Sequence, residues 1–573
     1  MRRTSTHRLI ALFVAMLLAF AGIVVRLATL QGTRVPDGQT LAQYGLDHRL
    51  RTIPLAAERG EIRDRHGAPL AISLDARDVY ANPALVTDPE GEAAQIAPIL
   101  DVKPRTLLPP LTADGTFAYL ARQVDEDVAR RIEDLRLPGI GFLRVPKRYY
   151  PAGSLAAQVL GFVGVDGVGL AGLEEQWDTE LAGIPGERTA EVAPNGQPIA
   201  QGESVEREPV DGVDLITTLD RQLQYRAQEA LAAAVAANQA KAGTIVVMDP
   251  GSGDIYAMAS VPGFDANRFA EVDPDVWRNR AITDAFEPGS VLKVVTAAAA
   301  LETGTVSMTE RFQVPDAMKL DEFFTIHDSH PHPVQTMTLG DIIAQSSNIG
   351  IAKIAERMGG DRLDDFLRRF GFGEDTGVGF PGESRGVLPA LDDWTATSVA
   401  TFSYGQGMTV TPLQMASVYA TIANGGVWVQ PRLVRSTRLP DGEVRTAPPP
   451  LTRRVIDEGT ADLLTQMLAL VVADGTGTTA RVQGYQVAGK TGTALKPEAG
   501  GGYGQRYIAS FIGFLPAAAP RLVIAGFLDE PATVYGSVAA GPLFQQVARA
   551  AVQRLGIAPA PDVTLPPHLL DGS

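Results

Sequence analysis

The chain opens on its most hydrophobic stretch. Residues 9–25 form an uncharged run of 17 residues, with Arg2, Arg3 and Arg8 before it and Arg26 after it. Leu27, Ala28, Thr29 and Leu30 prolong the apolar stretch, and Arg26 can snorkel, so residues 9–30 predict one membrane-spanning helix. Basic residues ahead of the span predict a cytoplasmic tail, residues 1–8, and an exported body. The competing reading is a cleaved signal peptide with Ala19-Phe20-Ala21 as its cleavage pattern. Four further apolar residues, Gly22 to Val25, then place the cut inside the run.

After the span the pattern becomes mixed. Residues 79–81 and 116–120 read as short strands. Val128, Ile132 and Leu135 recur at helical spacing and predict a helix over 126–135. Residues 173–181 read as another helical segment behind the glycine-rich stretch 167–172. Residues 203–214 are polar and turn-rich, which marks a boundary near 210. The next helix spans 220–238, with Asp220 as its N-cap. Two apolar runs, 243–248 and 255–260, flank Asp249-Pro250-Gly251-Ser252-Gly253-Asp254 and predict a hairpin. Helical segments follow, among them 294–301 and 339–352. Strands are expected at 485–493, 507–515 and 522–528, and a last helix over 541–555 with Pro542 in its first turn. Strands at both ends with helices between them predict an α+β domain over 215–560, an antiparallel sheet with helices on both sides. Residues 31–210 form a non-catalytic α/β pedestal, and 561–573 a tail.

Composition narrows the classes. With 573 residues the chain has room for two or three domains. A formal net charge of −16 argues against nucleic-acid binding. The chain has no cysteine, which excludes disulfides, thiolate zinc sites and cysteine nucleophiles.

The chemistry-bearing residues form three groups. In Phe286-Glu287-Pro288-Gly289-Ser290-Val291-Leu292-Lys293 a turn runs into an alanine-rich helix. Residues three apart share a helix face, so Lys293 can reach Ser290: a nucleophile, a candidate base and, in the first free amides of the helix, half an oxyanion site. Ser346-Ser347-Asn348 offers a hydroxyl that can shuttle a proton and a carboxamide that can bond Lys293 and a substrate carbonyl. Lys490-Thr491-Gly492-Thr493 follows a strand. There Gly492 lets a substrate backbone approach the edge, Lys490 and the threonine hydroxyls can hold a carboxylate, and the Thr493 amide can complete the oxyanion site with that of Ser290. Two nearby lysines also disfavour each other's charge, which helps keep Lys293 neutral. Of eight lysines in the chain, two fall on these motifs.

Ser-x-x-Lys, Ser-x-Asn and Lys-Thr-Gly in this order resemble the penicillin-binding protein and serine β-lactamase set. Arg59-Gly60-x-Ile62-x-Asp64-Arg65-x-Gly67, Arg148-x-Tyr150-Pro151-x-Gly153 and Gly405-Gln406-Gly407 with Thr411-Pro412-Leu413-Gln414 resemble class B penicillin-binding proteins. Tyr119 to Val124, Tyr507 to Phe514 and Asp529-Glu530-Pro531 are most similar to the cell-division branch. The resemblance implies a peptidoglycan D,D-transpeptidase that needs no cofactor and is anchored in the cytoplasmic membrane with its catalytic domain outside. Ser290 would attack the penultimate D-alanine of a stem peptide, and β-lactams would trap it. Lys293 would be the base, Ser346 and Asn348 would shuttle and position, and Lys490, Thr491 and Thr493 would bind the terminal carboxylate. The implied partners are a membrane glycan polymerase of the shape, elongation, division and sporulation family and other division proteins. One departure is visible: where the family often has Gly-x-Glu-Gly-x-Glu, Ala171 replaces the first acidic residue of Gly169-Leu170-Ala171-Gly172-Leu173-Glu174.

Other readings of the same motifs are a serine β-lactamase, a membrane β-lactam sensor, an elongation-type transpeptidase and a structural division protein. Separately, Ile326-His327-Asp328-Ser329-His330-Pro331-His332-Pro333 holds three of the seven histidines. It reads as an irregular loop, with a zinc site as the alternative.

Overall fold

The computed structural model describes residues 3–32, 50–191, 204–322, 324–395, 397–497, 502–533 and 535–566. The chain packs as two compact units, 1–58 with 183–211, and 59–182 with 212–573. The first unit holds the helix Arg3–Gly32. Within it Thr6–Gln31 has a mean hydropathy of 2.6 over its most apolar window and is long enough to cross a membrane. The same unit contains a three-stranded antiparallel sheet in which Gly186–Glu191 lies between Leu50–Leu55 and Ser204–Arg207.

In the second unit a mixed sheet runs in the order Val444–Thr446, Val434–Arg438, Asp214–Thr217, Ile62–Arg63, Pro69–Ala81, Ala118–Asp125, with Ile140–Tyr149 also paired to Pro69–Ala81. Only the pairing of Ile62–Arg63 with Asp214–Thr217 is parallel. The strand expected at 116–120 begins at Ala118 and continues to Asp125. Helices Pro89–Leu100, Pro104–Leu111 and Glu126–Glu133 bring Ile96, Leu107, Leu111 and Ile132 against Val79 of this sheet.

The charged residues of the arm converge on one carboxylate. Glu174, fully buried, accepts from Arg59 Nε at 2.7 Å, Arg148 Nε at 2.6 Å and the Tyr150 hydroxyl at 3.2 Å. Arg59 also reaches Asp178 at 2.7 Å. Burying one carboxylate alone would be prohibitive; two guanidiniums and a hydroxyl replace the water it loses. Ala171 leaves this cluster intact, because Glu174 is the acid that the arginines use.

The five-stranded antiparallel sheet has the order Ile255–Val261, Ala242–Met248, Leu522–Asp529, Tyr503–Leu515, Ala488–Pro497. The hairpin and the N-cap form as the sequence predicts: Asp220 accepts from the amides of Gln222 and Leu223 at the head of Arg221–Ala237. Side chains alternate between faces along a strand. Ile245 and Val247 pack with Leu223, Leu231, Phe544 and Val547 of the helices Arg221–Ala237 and Gly541–Leu555. Val246 and Met248 belong to the larger core that contains Val295 and the alanines of Lys293–Glu302. That helix is buried from Lys293 to Ala300 and mostly apolar, as an enclosed helix requires.

Several expected elements differ. The segment 173–181 is two short helices, Gly172–Gln176 and Asp178–Ala182. The run 339–352 is not one helix: Leu339–Gln345 ends at Ser346, and Asn348–Met358 starts afresh with Ser347 as its N-cap. The strand expected from 485 starts at Ala488 and extends to Pro497. Replacing Glu174 with Ala leaves Arg59 and Arg148 buried without their shared anion. We expect a loss of about 3–5 kcal/mol in unfolding free energy, measured by denaturant titration; a loss below about 1 kcal/mol would remove the cluster from any structural role.

Candidate active site

The nucleophile turn exists because of two glycines. Gly289 has φ +58°, a conformation that side chains disfavour, and a Cβ there would lie 3.1 Å from Ala494 Cβ and 3.3 Å from the Thr493 carbonyl oxygen. The Gly289 amide donates to Gly405 O at 3.0 Å, and a Cβ on Gly405 would fall 2.4 Å from Gly289 O. The backbone of Gly405-Gln406-Gly407 can therefore pass close beneath the turn. Gly289–Leu292 forms a single 3₁₀ turn that leads into the helix Lys293–Glu302. Ser290 lies in the first turn, where amides have no intrahelical acceptor.

Lys293 is completely buried, and its Nζ donates toward four uncharged oxygens: Ser290 Oγ at 3.1 Å, Ser346 Oγ at 3.2 Å, Asn348 Oδ1 at 2.7 Å and the Ser346 carbonyl. Burial lowers its pKa to about 7, while Asp328 pulls in the opposite direction. Near neutrality a substantial fraction of the amine is thus unprotonated and can accept the hydroxyl proton of Ser290. Lys490 is also completely buried and donates to its neighbour's carbonyl, Thr491 O, at 3.1 Å. Its pKa is pushed well down, first by burial and then by the charge of Lys293. For Lys293 burial is the first cause; the expected repulsion between the two amines falls on Lys490.

Ser346 owes its place to a break in the helix. Its φ of 64° is left-handed, which costs a non-glycine residue about 1–2 kcal/mol. The strained turn aims both its carbonyl and its hydroxyl at Lys293. The next helix is held from outside by Asp328. That carboxylate accepts from Ser347 Oγ at 2.6 Å and from the amides of Asn348 at 2.5 Å and Ile349 at 3.0 Å. An anion at a helix N-terminus satisfies otherwise free donors and the helix dipole together. Asn348 Nδ2 donates to His327 O at 2.9 Å, which turns its Oδ1 toward Lys293.

The histidine-rich loop is therefore part of this support. His332 meets Asp328 Oδ2 at 3.1 Å, His327 contributes its carbonyl, and His330 stacks on Tyr535. Asp328 is a residue that the sequence reading placed only in a candidate zinc loop. It lies 20 residues before Asn348, outside the range of a local capping pattern. Thr476 was missed for the same reason: its hydroxyl lies 2.8 Å from that of Thr491, and its amide donates to Ala344 O at 3.2 Å.

Lys490, Thr491, Gly492 and Thr493 lie on Ala488–Pro497, the end strand of the sheet, which pairs on one side with Tyr503–Leu515. Its other side faces the nucleophile turn: a Cβ on Gly492 would stand 3.0 Å from Val291 Cγ1 and 3.5 Å from Pro288 O. Thr493 Oγ1 accepts from the Gly536 amide at 3.1 Å, which leaves its own hydroxyl proton free to donate. Ser290, Lys293, Ser346 and Asn348 thus meet in one hydrogen-bonded group, and the Lys490–Thr493 strand borders it across the turn. An extended peptide ending in a carboxylate can lie along such an edge.

This geometry can support a class of chemistry, a serine nucleophile with a lysine as its base. The chain belongs to the penicillin-binding protein family. The penicillin-binding protein transpeptidase domain matches residues 243–549, and the penicillin-binding protein dimerisation domain matches 54–217. The chain is similar to the penicillin-binding protein PbpB of Mycolicibacterium smegmatis, 37% identical over 548 residues, covering 88% of this chain and 84% of the relative. It is 34% identical to the peptidoglycan D,D-transpeptidase FtsI of Escherichia coli over 553 residues, 95% of this chain and 91% of that one. A crystal structure of penicillin-binding protein 3 from Mycobacterium tuberculosis, complexed with aztreonam, superposes with a TM-score of 0.71 at 33% identity, covering 90% of this chain and 100% of the other.

A titration of Lys293 followed by lysine side-chain NMR should show a midpoint near 7. Between that value and the ordinary 10.5, the unfolded chain binds a proton that the folded chain does not. The contribution of this group to stability therefore rises with pH across that window. A midpoint above 9 would show that the amine stays charged at neutral pH.

Proposed function

We propose that this chain is a class B penicillin-binding protein that cross-links peptidoglycan as a D,D-transpeptidase during septal wall synthesis. The observation that carries the reading is Lys293 Nζ, wholly buried among uncharged acceptors, 3.1 Å from Ser290 Oγ. In this reading the terminal carboxylate of a D-Ala-D-Ala stem is held by Lys490, Thr491 and Thr493. Ser290 Oγ attacks the penultimate D-alanine carbonyl and gives its proton to Lys293. The amides of Ser290 and Thr493 stabilise the oxyanion. The tetrahedral carbon then expels terminal D-alanine, whose nitrogen takes a proton relayed from Lys293 through Ser346. An amine from a neighbouring stem attacks the ester, gives up a proton by the same route, and leaves a new amide and free Ser290. Asn348 positions Lys293 and the substrate carbonyl throughout.

A β-lactam enters the same path and stops at the ester, because its ring-opened amine stays tethered and no acceptor stem is placed to resolve it. The apolar helix Thr6–Gln31 supports a membrane anchor, and the preceding arginines support a cytoplasmic N-terminus. The partners in this reading are a membrane glycan polymerase of the shape, elongation, division and sporulation family and other division proteins. The septal assignment rests on the stretches Tyr119 to Val124 and Tyr507 to Phe514, which resemble the division branch.

Ser290→Ala should abolish covalent labelling by a fluorescent penicillin while the far-UV circular dichroism stays that of the parent; labelling that survives would reject the nucleophile. Depletion in the native host should give filamentous cells. Rounded cells would assign the chain to elongation instead.

A further inference from the structure

A second space lies beside the segment that leads into Ser290. It is a pocket of about 260 Å³ between residues 280–287 and the face of the five-stranded sheet that carries Val246 and Met248. Phe286, Phe527, Ile508 and Pro412 supply its apolar wall, and the two rings meet edge to face with centroids 5.1 Å apart. None of Ser290, Lys293, Ser346, Asn348, Lys490 or Thr493 lines it. The charged groups at its rim already engage one another. Arg280 bonds Asp284 at 2.8 Å, and Lys496 bonds Asp529 at 2.7 Å. The Glu287 carboxylate accepts from the Gly407 amide at 3.0 Å and from the Tyr503 hydroxyl at 3.0 Å. One polar group is left over. Thr244 is only 5% exposed and is the cross-strand partner of Phe527, so it lies on the same sheet face. Its hydroxyl has no hydrogen-bond partner among the described residues. A buried hydroxyl without a partner is costly, and a ligand that bonds it removes that cost.

We propose that this pocket is a second ligand site, apart from the catalytic cleft, that takes a small neutral aromatic molecule carrying one hydroxyl. The aromatic body follows from the Phe286 and Phe527 wall, the hydroxyl from Thr244, and neutrality from the paired charges at the rim. The size follows from the volume. An apolar cavity of about 150 Å³ takes up benzene, so about 260 Å³ holds one ring with a few further atoms. An occupant bears on Phe286, whose backbone exchanges two hydrogen bonds of 2.9 Å with Val410 just ahead of the nucleophile turn. The inference goes beyond the transpeptidase reading and does not rest on it.

The test is calorimetric titration of the full-length protein with 4-ethylphenol. The parent should bind it with a Kd below about 1 mM, within reach of a ligand of this size. Thr244→Val keeps the shape, loses the hydroxyl and should weaken binding about fivefold or more. Thr244→Leu also fills the space and should abolish binding. 4-Ethylbenzoate, which brings a charge that finds no free cation, should bind at least about tenfold more weakly. Protein treated with excess penicillin should bind the phenol as the parent does. A parent Kd above about 10 mM, unchanged binding in Thr244→Leu, or loss of binding after penicillin treatment would overturn the site. A measurement on the parent alone guards against variants that fail to fold. A diazirine-bearing analogue of the phenol, photolysed on the protein, should label the peptides that contain Phe286 or Phe527. Labelling confined to the peptides of Ser346–Asn348 and Lys490–Thr493 would move the ligand to the catalytic cleft and overturn the proposal.

Discussion

Everything in the catalytic unit serves the burial of one amine among neutral oxygens. A fall from the ordinary lysine value of 10.5 to about 7 corresponds to about 5 kcal/mol of lost preference for the charged form. Burial takes that preference away. The enclosed alanine-rich helix carries the stem of Lys293 into the core, and Ser346 and Asn348 offer acceptors without charge. Asp328 is the carboxylate that acts on it, and its oxygens are engaged by Ser347, Asn348 and Ile349. Were Asp328 to point at Lys293 directly, the same residues would make a salt bridge, and the amine would stay protonated and unable to take the Ser290 proton.

The support of the site is distributed in a corresponding way. Thr476 bonds the backbone of the Ser346 helix with its amide and the Lys490 strand with its hydroxyl. Gly289, Gly405 and Gly492 remove side chains where three backbones approach. Precise placement of a nucleophile and its base comes from such outer contacts as much as from the two residues themselves. Glu174 plays a similar part for the arm, where Arg59 and Arg148 arrive from segments 89 residues apart in sequence.

What could be read from the sequence was whatever depends on neighbours along the chain. Ser290 and Lys293 are three apart on a helix, the Asp249–Asp254 turn joins two apolar strands, and Asp220 caps the helix that begins beside it. Each follows from local spacing. A helix–loop junction at Ser346–Asn348 could be expected, but not the left-handed residue that makes it, because Gln345-Ser346-Ser347 contains neither glycine nor proline and tertiary bonds to Lys293 stabilise that conformation. Asp328 and Thr476 were invisible for a different reason. Their partners lie in segments remote along the chain, and nothing in a capping or turn pattern reports a hydrogen bond to a distant segment. The family resemblance supplied roles that spacing alone could not.

The strand order of the five-stranded sheet has a consequence for biogenesis. Ala242–Met248 is neighboured by Leu522–Asp529, which is made almost three hundred residues later. The Lys293 helix emerges early, yet the sheet face and the helix Gly541–Leu555 that complete its domain come last. A chain still being made must hold this alanine-rich segment in a non-native state until its final strands are present. Pairings so remote in sequence are slow to find. The Ser290–Lys293 geometry is therefore complete only after synthesis of the chain is essentially finished.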